Sequence, residues 1–168
     1  MAMPTIFLKL MFGKQALQGE AVVVGFENLI VIDSLNWNAT ATHPKTDDES
    51  NTTWSSQSVT LSKVFDSASA ALYTKMKERK PFDIAEITVV DFNRVNGSPL
   101  KMRVLELETG PVESVSTKAS DVGLSMRISE NLTLSFNAGK LTYFPSAPSG
   151  GRSAATDFIL PPRVEGNQ

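Results

Sequence analysis

Apolar and polar residues alternate along most of this chain with a period of two, the spacing of strands that bury one face. Ile6, Leu8, Leu10 and Phe12 share one side of a first strand, with Phe7, Lys9 and Met11 on the other. Gln18-Gly19-Glu20 interrupts the pattern. Residues 29–42 then read as one long strand, with Leu35, Trp37 and Ala39 on one side and Ser34, Asn36, Asn38 and Thr40 on the other. Residues 43–53 hold no apolar side chain except Pro44 and read as a long polar loop. Loops of that length are usually functional or disordered. Strand character resumes over 58–64, with Val59 and Leu61 as core positions.

One segment changes period. Over about 67–79, Ala68, Ala71, Leu72 and Met76 recur at spacings of three and four, which predicts an α-helix. Asp66, Ser67 and Ser69 compete as its N-cap. Lys75, Lys77, Arg79 and Lys80 crowd its far end, where cations complement the helix dipole, and Pro81 stops it. Strands return over 82–93 and 99–108, joined across Val95-Asn96-Gly97-Ser98. Asn-Gly there predicts a hairpin with a type I′ turn. Leu105 and Leu107 face inward, Glu106 and Glu108 outward. After Gly110-Pro111 come strands over 112–118, 121–128, 132–136 and 140–144. The composition then turns rich in Pro, Ser and Gly, the mark of a flexible tail. Within it, residues 156–160 are apolar enough to dock as a short last strand. The expected fold is mainly β: an antiparallel β-barrel or sandwich of about eight or nine strands with one helix.

The 168 residues suit one domain, and the composition removes chemistry from it. With no Cys there is no disulfide, thiolate metal site or cysteine nucleophile. The single His, His43, leaves a Ser-His-Asp triad only if it is the base, and no Gly-x-Ser-x-Gly elbow accompanies it. Asp47-Asp48-Glu49 lacks the alternating ligands and turn glycine of a calcium loop, and reads as solvated loop charge. No catalytic residue, metal site or cofactor is therefore expected. The net charge of −2 gives no reason to expect a nucleic acid or an anionic membrane as partner. No apolar run approaches a membrane span, and the first residues do not read as a cleaved signal peptide. The expectation is a soluble cytoplasmic chain. Trp37 reads as core, whereas Trp54 follows the polar loop and reads as an interface anchor.

The ordered set of segments resembles a known family. Ile6-Phe7-Leu8-Lys9-Leu10 opens it, followed by Gln18-Gly19-Glu20, Ile32-Asp33-Ser34-Leu35-Asn36-Trp37 and the polar loop. Leu61-Ser62-Lys63-Val64-Phe65-Asp66-Ser67-Ala68-Ser69 then runs from strand into helix. Val112-Glu113-Ser114-Val115-Ser116, Glu130-Asn131-Leu132-Thr133-Leu134-Ser135-Phe136 and Tyr143 complete the order. This resembles the haemolysin-coregulated protein (Hcp) family, the inner-tube subunit of the bacterial type VI secretion system. The resemblance implies a tube domain over residues 1–144 and a tail over 145–168. It implies homohexameric rings that stack inside a contractile sheath, carry a spike protein at the tip and hold small effector proteins in the lumen. It also implies exit through that apparatus without a cleaved signal. The ring-stacking loop would comprise His43, Pro44, Lys45, Asp47, Asp48 and Glu49, with Trp54 beside it. Lumen-facing residues would be Asn36, Asn38, Ser114, Ser116 and Ser120. Lys101-Met102-Arg103 departs from the family, where an aromatic is usual.

Two other readings compete. A monomeric β-barrel binding a small apolar ligand would place Trp37, Phe92, Phe136 and Tyr143 around one interior cavity. An all-β hydrolase would use His43 with Asp47 or Asp48.

Overall fold

The computed structural model describes residues 5–42, 53–55, 58–93, 95–121, 123, 125–145, 147 and 151–160. Among them the chain runs β1 (Ile6–Phe12), β2 (Gln15–Ala16), β3 (Ile30–Ile32), β4 (Ser34–Trp37), β5 (Thr40–Thr42), β6 (Thr53–Ser55) and β7 (Ser58–Val64). Helix α1 (Ser69–Lys77) follows, then β8 (Phe82–Phe92), β9 (Pro99–Gly110), β10 (Val112–Asp121), β11 (Met126–Ser135), β12 (Ala138–Tyr143) and β13 (Thr156–Leu160).

A first sheet has the order β13-β12-β9-β8-β1-β2, with β3 also on β1. A second has the order β10-β11-β7-β4. Every pairing is antiparallel. The two sheets face each other as a sandwich, so of barrel and sandwich it is the sandwich that forms. Its core is built from paired rows. Leu8, Ile87 and Leu105 lie side by side in the first sheet, and Leu10, Ala85 and Leu107 form the next row. Leu35, Leu61, Leu132 and Val115 form a row in the second sheet, next to Trp37, Val59 and Leu134. Most of these side chains are fully buried in one cluster with Leu72 of α1, Phe82 and Phe136. A smaller cluster lies on the other side of the first sheet, where residues 17–29 fold back over it. Phe26 stacks on Phe7 there, ring centroids 4.8 Å apart, with Ala21 and Val90 buried beside them.

Among the described residues the strand count exceeds eight or nine because one segment that reads as a single strand is divided and because the short strands β2 and β6 form where none was expected. Residues 29–42 break at Asp33, whose N–H bonds Ser62 O, and again at residues 38–39. β3 joins the first sheet, β4 the second, and among the described residues β5 pairs only with β6. Conversely, residues 126–135 form one strand where the sequence pattern reads as two. The β8–β9 hairpin forms as expected, with a different turn. Asn93 N–H bonds Ser98 O, leaving a four-residue loop in which Gly97 is left-handed and Asn96 is not. Such loops are built around type I rather than type I′ turns.

Helix α1 is shorter at both ends than 67–79. Its C-terminus closes with a left-handed Arg79 where glycine is usual. Arg79 N–H bonds Met76 O and Lys80 N–H bonds Lys75 O, so two terminal carbonyls are satisfied. Beyond Phe144 the chain turns back. Ser153 N–H bonds Pro145 O, Arg152 reaches Asp91 at 2.8 Å, and β13 pairs along β12.

Candidate functional site

The second sheet carries its chemistry on two sides. On its inner side the two apolar rows are followed by a polar one, Lys63, Glu130 and Thr117, side by side on β7, β11 and β10. Lys63 and Glu130 are fully buried, and Nζ lies 2.7 Å from Glu130 Oε2. Nζ also donates to Asp66 Oδ1 at 2.9 Å, Ser69 Oγ at 3.1 Å and Val64 O at 3.0 Å. Ser69 Oγ donates to Glu130 Oε2 at 2.7 Å. Ala68 N–H bonds Asp66 Oδ1 at 3.0 Å, so Asp66 serves the start of α1 although the N-cap position itself is Ala68, without a side-chain cap. Tyr73 of α1 bonds Thr117. The Lys-x-x-Asp-x-x-Ser spacing of the strand-to-helix junction is thereby explained. One ammonium ties β7, β11 and the first turn of α1 together. Its donors are committed to carboxylates, a hydroxyl and a carbonyl, so this lysine is a structural cation and not a general base.

Sequence reading left Lys63 and Glu130 unassigned. The signal was the alternation itself. Lys63 is two residues past Leu61 and Glu130 two before Leu132, so period two puts both inward.

On the outer side the same sheet presents rows with no charge. Asn36, Thr60, Thr133 and Ser114 lie side by side across all four strands. One step along, Ser34, Ser62, Asn131 and Ser116 do the same. The pair Ser58 and Ser135 continues the surface at one end, where Ser135 Oγ donates to the Glu113 carboxylate. At the other end stand Val64, Ser129 and Lys118 in one row, and the half-exposed ion pair Arg127–Asp33 at 2.8 Å. Arg127→Ala is expected to change stability by less than about 1 kcal/mol, measured by urea titration, because the pair is exposed and screened.

The outer side of the first sheet is the opposite. Lys9, Glu86, Glu106 and Lys140 form a continuous charged row across β1, β8, β9 and β12. Asp157 of β13 pairs with Lys140 at 3.3 Å. The two outer sides thus differ at their middles: a charged row crosses the first sheet, and two uncharged hydroxyl-and-amide rows cross the second, with charged groups at both ends of them.

Of the residues read as lumen-facing, Asn36, Ser114 and Ser116 lie in the neutral rows. Ser120 follows on the same side of β10, half-buried, and Asn38 is exposed just beyond β4. His43, Pro44, Lys45, Asp47, Asp48 and Glu49 fall outside the described residues, as does the side chain of Trp54. Residues 43–52 connect β5 to β6, whose ends pair Thr42 with Thr53. Trp37 packs against the core, with the Arg103 guanidinium 5.7 Å above its ring. The four aromatics assigned to a ligand cavity share no interior. Phe136 is in the main core, Phe92 packs on the second cluster and Tyr143 is 45% exposed. Among the described residues no three His, Asp or Glu side chains converge as a metal site, and no helix is long and apolar enough to cross a membrane.

These observations define a two-sheet β-sandwich with a short helix, a salt-linked interior and two chemically different outer faces. The family model described as "Type VI secretion system effector, Hcp" matches residues 7–143. The chain belongs to the Hcp family of the type VI secretion system. Among solved structures it is similar to a type six secretion system protein, with a TM-score of 0.77 at 15% identity, covering 93% of this chain and 95% of that one. It is similar to a variant of Hcp1 from an E. coli EAEC pathovar, with a TM-score of 0.74 at 18% identity, covering 94% and 99%. It is similar to Hcp1 from Salmonella typhimurium, with a TM-score of 0.65 at 20% identity, covering 92% and 95%. These likenesses establish the fold. Comparison with curated proteins gives no match.

Proposed function

We propose that the chain is a non-enzymatic tube subunit of the type VI secretion system. Six copies close into a ring, and rings stack into a tube within the sheath and behind the spike. The observation that carries this reading is the difference in charge between the middles of the two outer faces. A ring subunit needs two different surfaces, one turned to the lumen and one turned away, and a monomer does not. The face of β10-β11-β7-β4 that carries the uncharged rows is assigned to the lumen, with Asn36, Asn38, Ser114, Ser116 and Ser120 on or beside it. His43, Pro44, Lys45, Asp47, Asp48, Glu49 and Trp54 are assigned to contacts between rings, a reading supported by β5 and β6 forming a two-stranded sheet of their own. Residues 1–144 form the tube domain, and 145–168 an appended tail that docks through β13. Small effector proteins occupy the lumen. The chain is made in the bacterial cytoplasm and leaves through the apparatus.

A head-to-tail contact whose rotation closes gives such a ring. Light scattering on purified protein should give about six times the chain mass of 18.2 kDa, and negative-stain images should show annular particles. A monodisperse monomer at high concentration, with no annular particles, overturns the proposal.

A further inference from the structure

We infer that β13 is a strap that lifts off the edge of the first sheet while both sheets stay folded, and that Arg152 and Asp91 form the clasp that holds it shut. The inference does not depend on the tube reading. Among the described residues β13 ends its sheet and pairs with β12 alone. Of its five residues only Leu160 is buried, and Ile159 is 75% exposed. Leu160 is the one side chain that β13 adds to the main core. Its seat is a missing side chain: a Cβ on Gly139 would fall 2.7 Å from Leu160 Cδ1, so the leucine lies against bare backbone. A strand with one buried apolar group opens locally, at a free energy well below that of global unfolding. The rest of its fastening is polar. Arg152, four residues before β13, has a side chain only 9% exposed and meets Asp91 of β8 at 2.8 Å. It thereby ties the strap to a strand two places beyond β12 in the sheet. Asp157 meets Lys140 of β12 at 3.3 Å, both half-exposed. Ser153 N–H bonds Pro145 O and Ala147 N–H bonds Gly151 O, so the lead-in to the strap is folded back on itself. When the strap lifts, β12 is left with unpaired N–H and C=O groups along one side, the kind of edge that folded proteins keep covered. The clasp therefore sets how often the first sheet ends in a bare edge.

The chain has no Cys, so a single introduced thiol reports alone. Leu160→Cys places it under the strap, and Val59→Cys, at a position 1% exposed in β7, places it in the core. Both full-length variants are labelled with an aromatic disulfide reagent without denaturant, at equal protein concentration. Leu160→Cys should react at least about 30-fold faster than Val59→Cys, because its thiol is bared by local opening and the other only by global unfolding. Adding Asp91→Ala should speed the Leu160→Cys reaction about threefold or more and leave that of Val59→Cys within about twofold. Leu160→Cys itself thins the seat, so hydrogen exchange of the unsubstituted chain is the second measure. Residues 138–143 of β12 should lose protection well before residues 126–135 of β11, although each strand has a neighbour on both sides. Equal labelling of the two thiols, or equal protection of β12 and β11, overturns the strap. Fast labelling that ignores Asp91→Ala overturns the clasp.

Discussion

Lys63→Met is expected to destabilise the protein by about 3–5 kcal/mol, the cost of removing one partner from a buried ion pair. The substitution keeps the volume of the side-chain stem and removes the ammonium. Glu130, whose side chain is fully buried, is then left with only the hydroxyls of Ser69 and Thr117. Asp66, 9% exposed, loses the same cation while still holding Ala68 N–H. Helix α1 loses one of the ties that seat its first turn on β7 and β11. The second half of the test is Lys63→Met combined with Glu130→Gln. It removes the stranded charge and leaves the Ser69 hydroxyl an amide oxygen to donate to. Replacing both members of a buried pair is often close to neutral, so the double variant should recover about half of the loss or more. Urea midpoints at one fixed protein concentration measure both, since assembly adds to apparent stability. A single-variant loss below about 1 kcal/mol would show that the junction is not locked by this cation.

The same pair explains why the strand over 126–135 reads as two in the sequence. Ser129-Glu130-Asn131 looks like a break, because a buried glutamate is rare unless paired, and its partner is 67 residues away. Local pattern carries no information about a partner on another strand. What alternation does carry is the side each residue occupies. The core of the β8–β9 hairpin was legible for that reason, with Leu105 and Leu107 inward and Glu106 outward. So was the neutrality of β4, where Ser34 and Asn36 oppose Leu35 and Trp37. The assembly of those polar positions into continuous rows was not legible, because it depends on register between β4, β7, β11 and β10. The division of residues 29–42 was hidden for a related reason. Asp33 is a bend where the chain crosses from one sheet to the other, and both halves keep the same period. The β5–β6 ribbon was not legible, because it exists only as pairing between two short segments.

Gly110→Ala is expected to be the most damaging single-methyl change at the corner where β9 leaves the first sheet and β10 enters the second. A Cβ at this position falls 1.8 Å from Ser135 O, 2.6 Å from Ser135 C and 2.9 Å from Phe136 Cα. All three are backbone atoms, so no side chain can rotate to make room. The crossing must widen, and the groups beside it are core: Val112 is 5% exposed and Phe136 is 2% exposed. Ser135 N–H also bonds Pro111 O at 3.2 Å, so widening the corner stretches a bond that ties the corner itself to β11. Overpacking a well-filled site costs about 1–3 kcal/mol, and a collision with fixed backbone belongs at or above the upper end. Gly123→Ala separates this collision from backbone strain. Gly123 has φ +79 with nothing within 4 Å of the added atom, so its cost is conformational and should be about 1–2 kcal/mol. Urea titration of the two variants at equal concentration should therefore rank Gly110→Ala as the less stable. The corner also sets where β10 begins, and β10 supplies Ser114 and Ser116 to the neutral rows. On the proposed ring assembly, a displaced corner should lower the yield of annular particles even from the fraction that folds. If Gly110→Ala instead matches wild type within about 1 kcal/mol, the two sheets tolerate separation at this crossing, and the register of the neutral rows is held elsewhere.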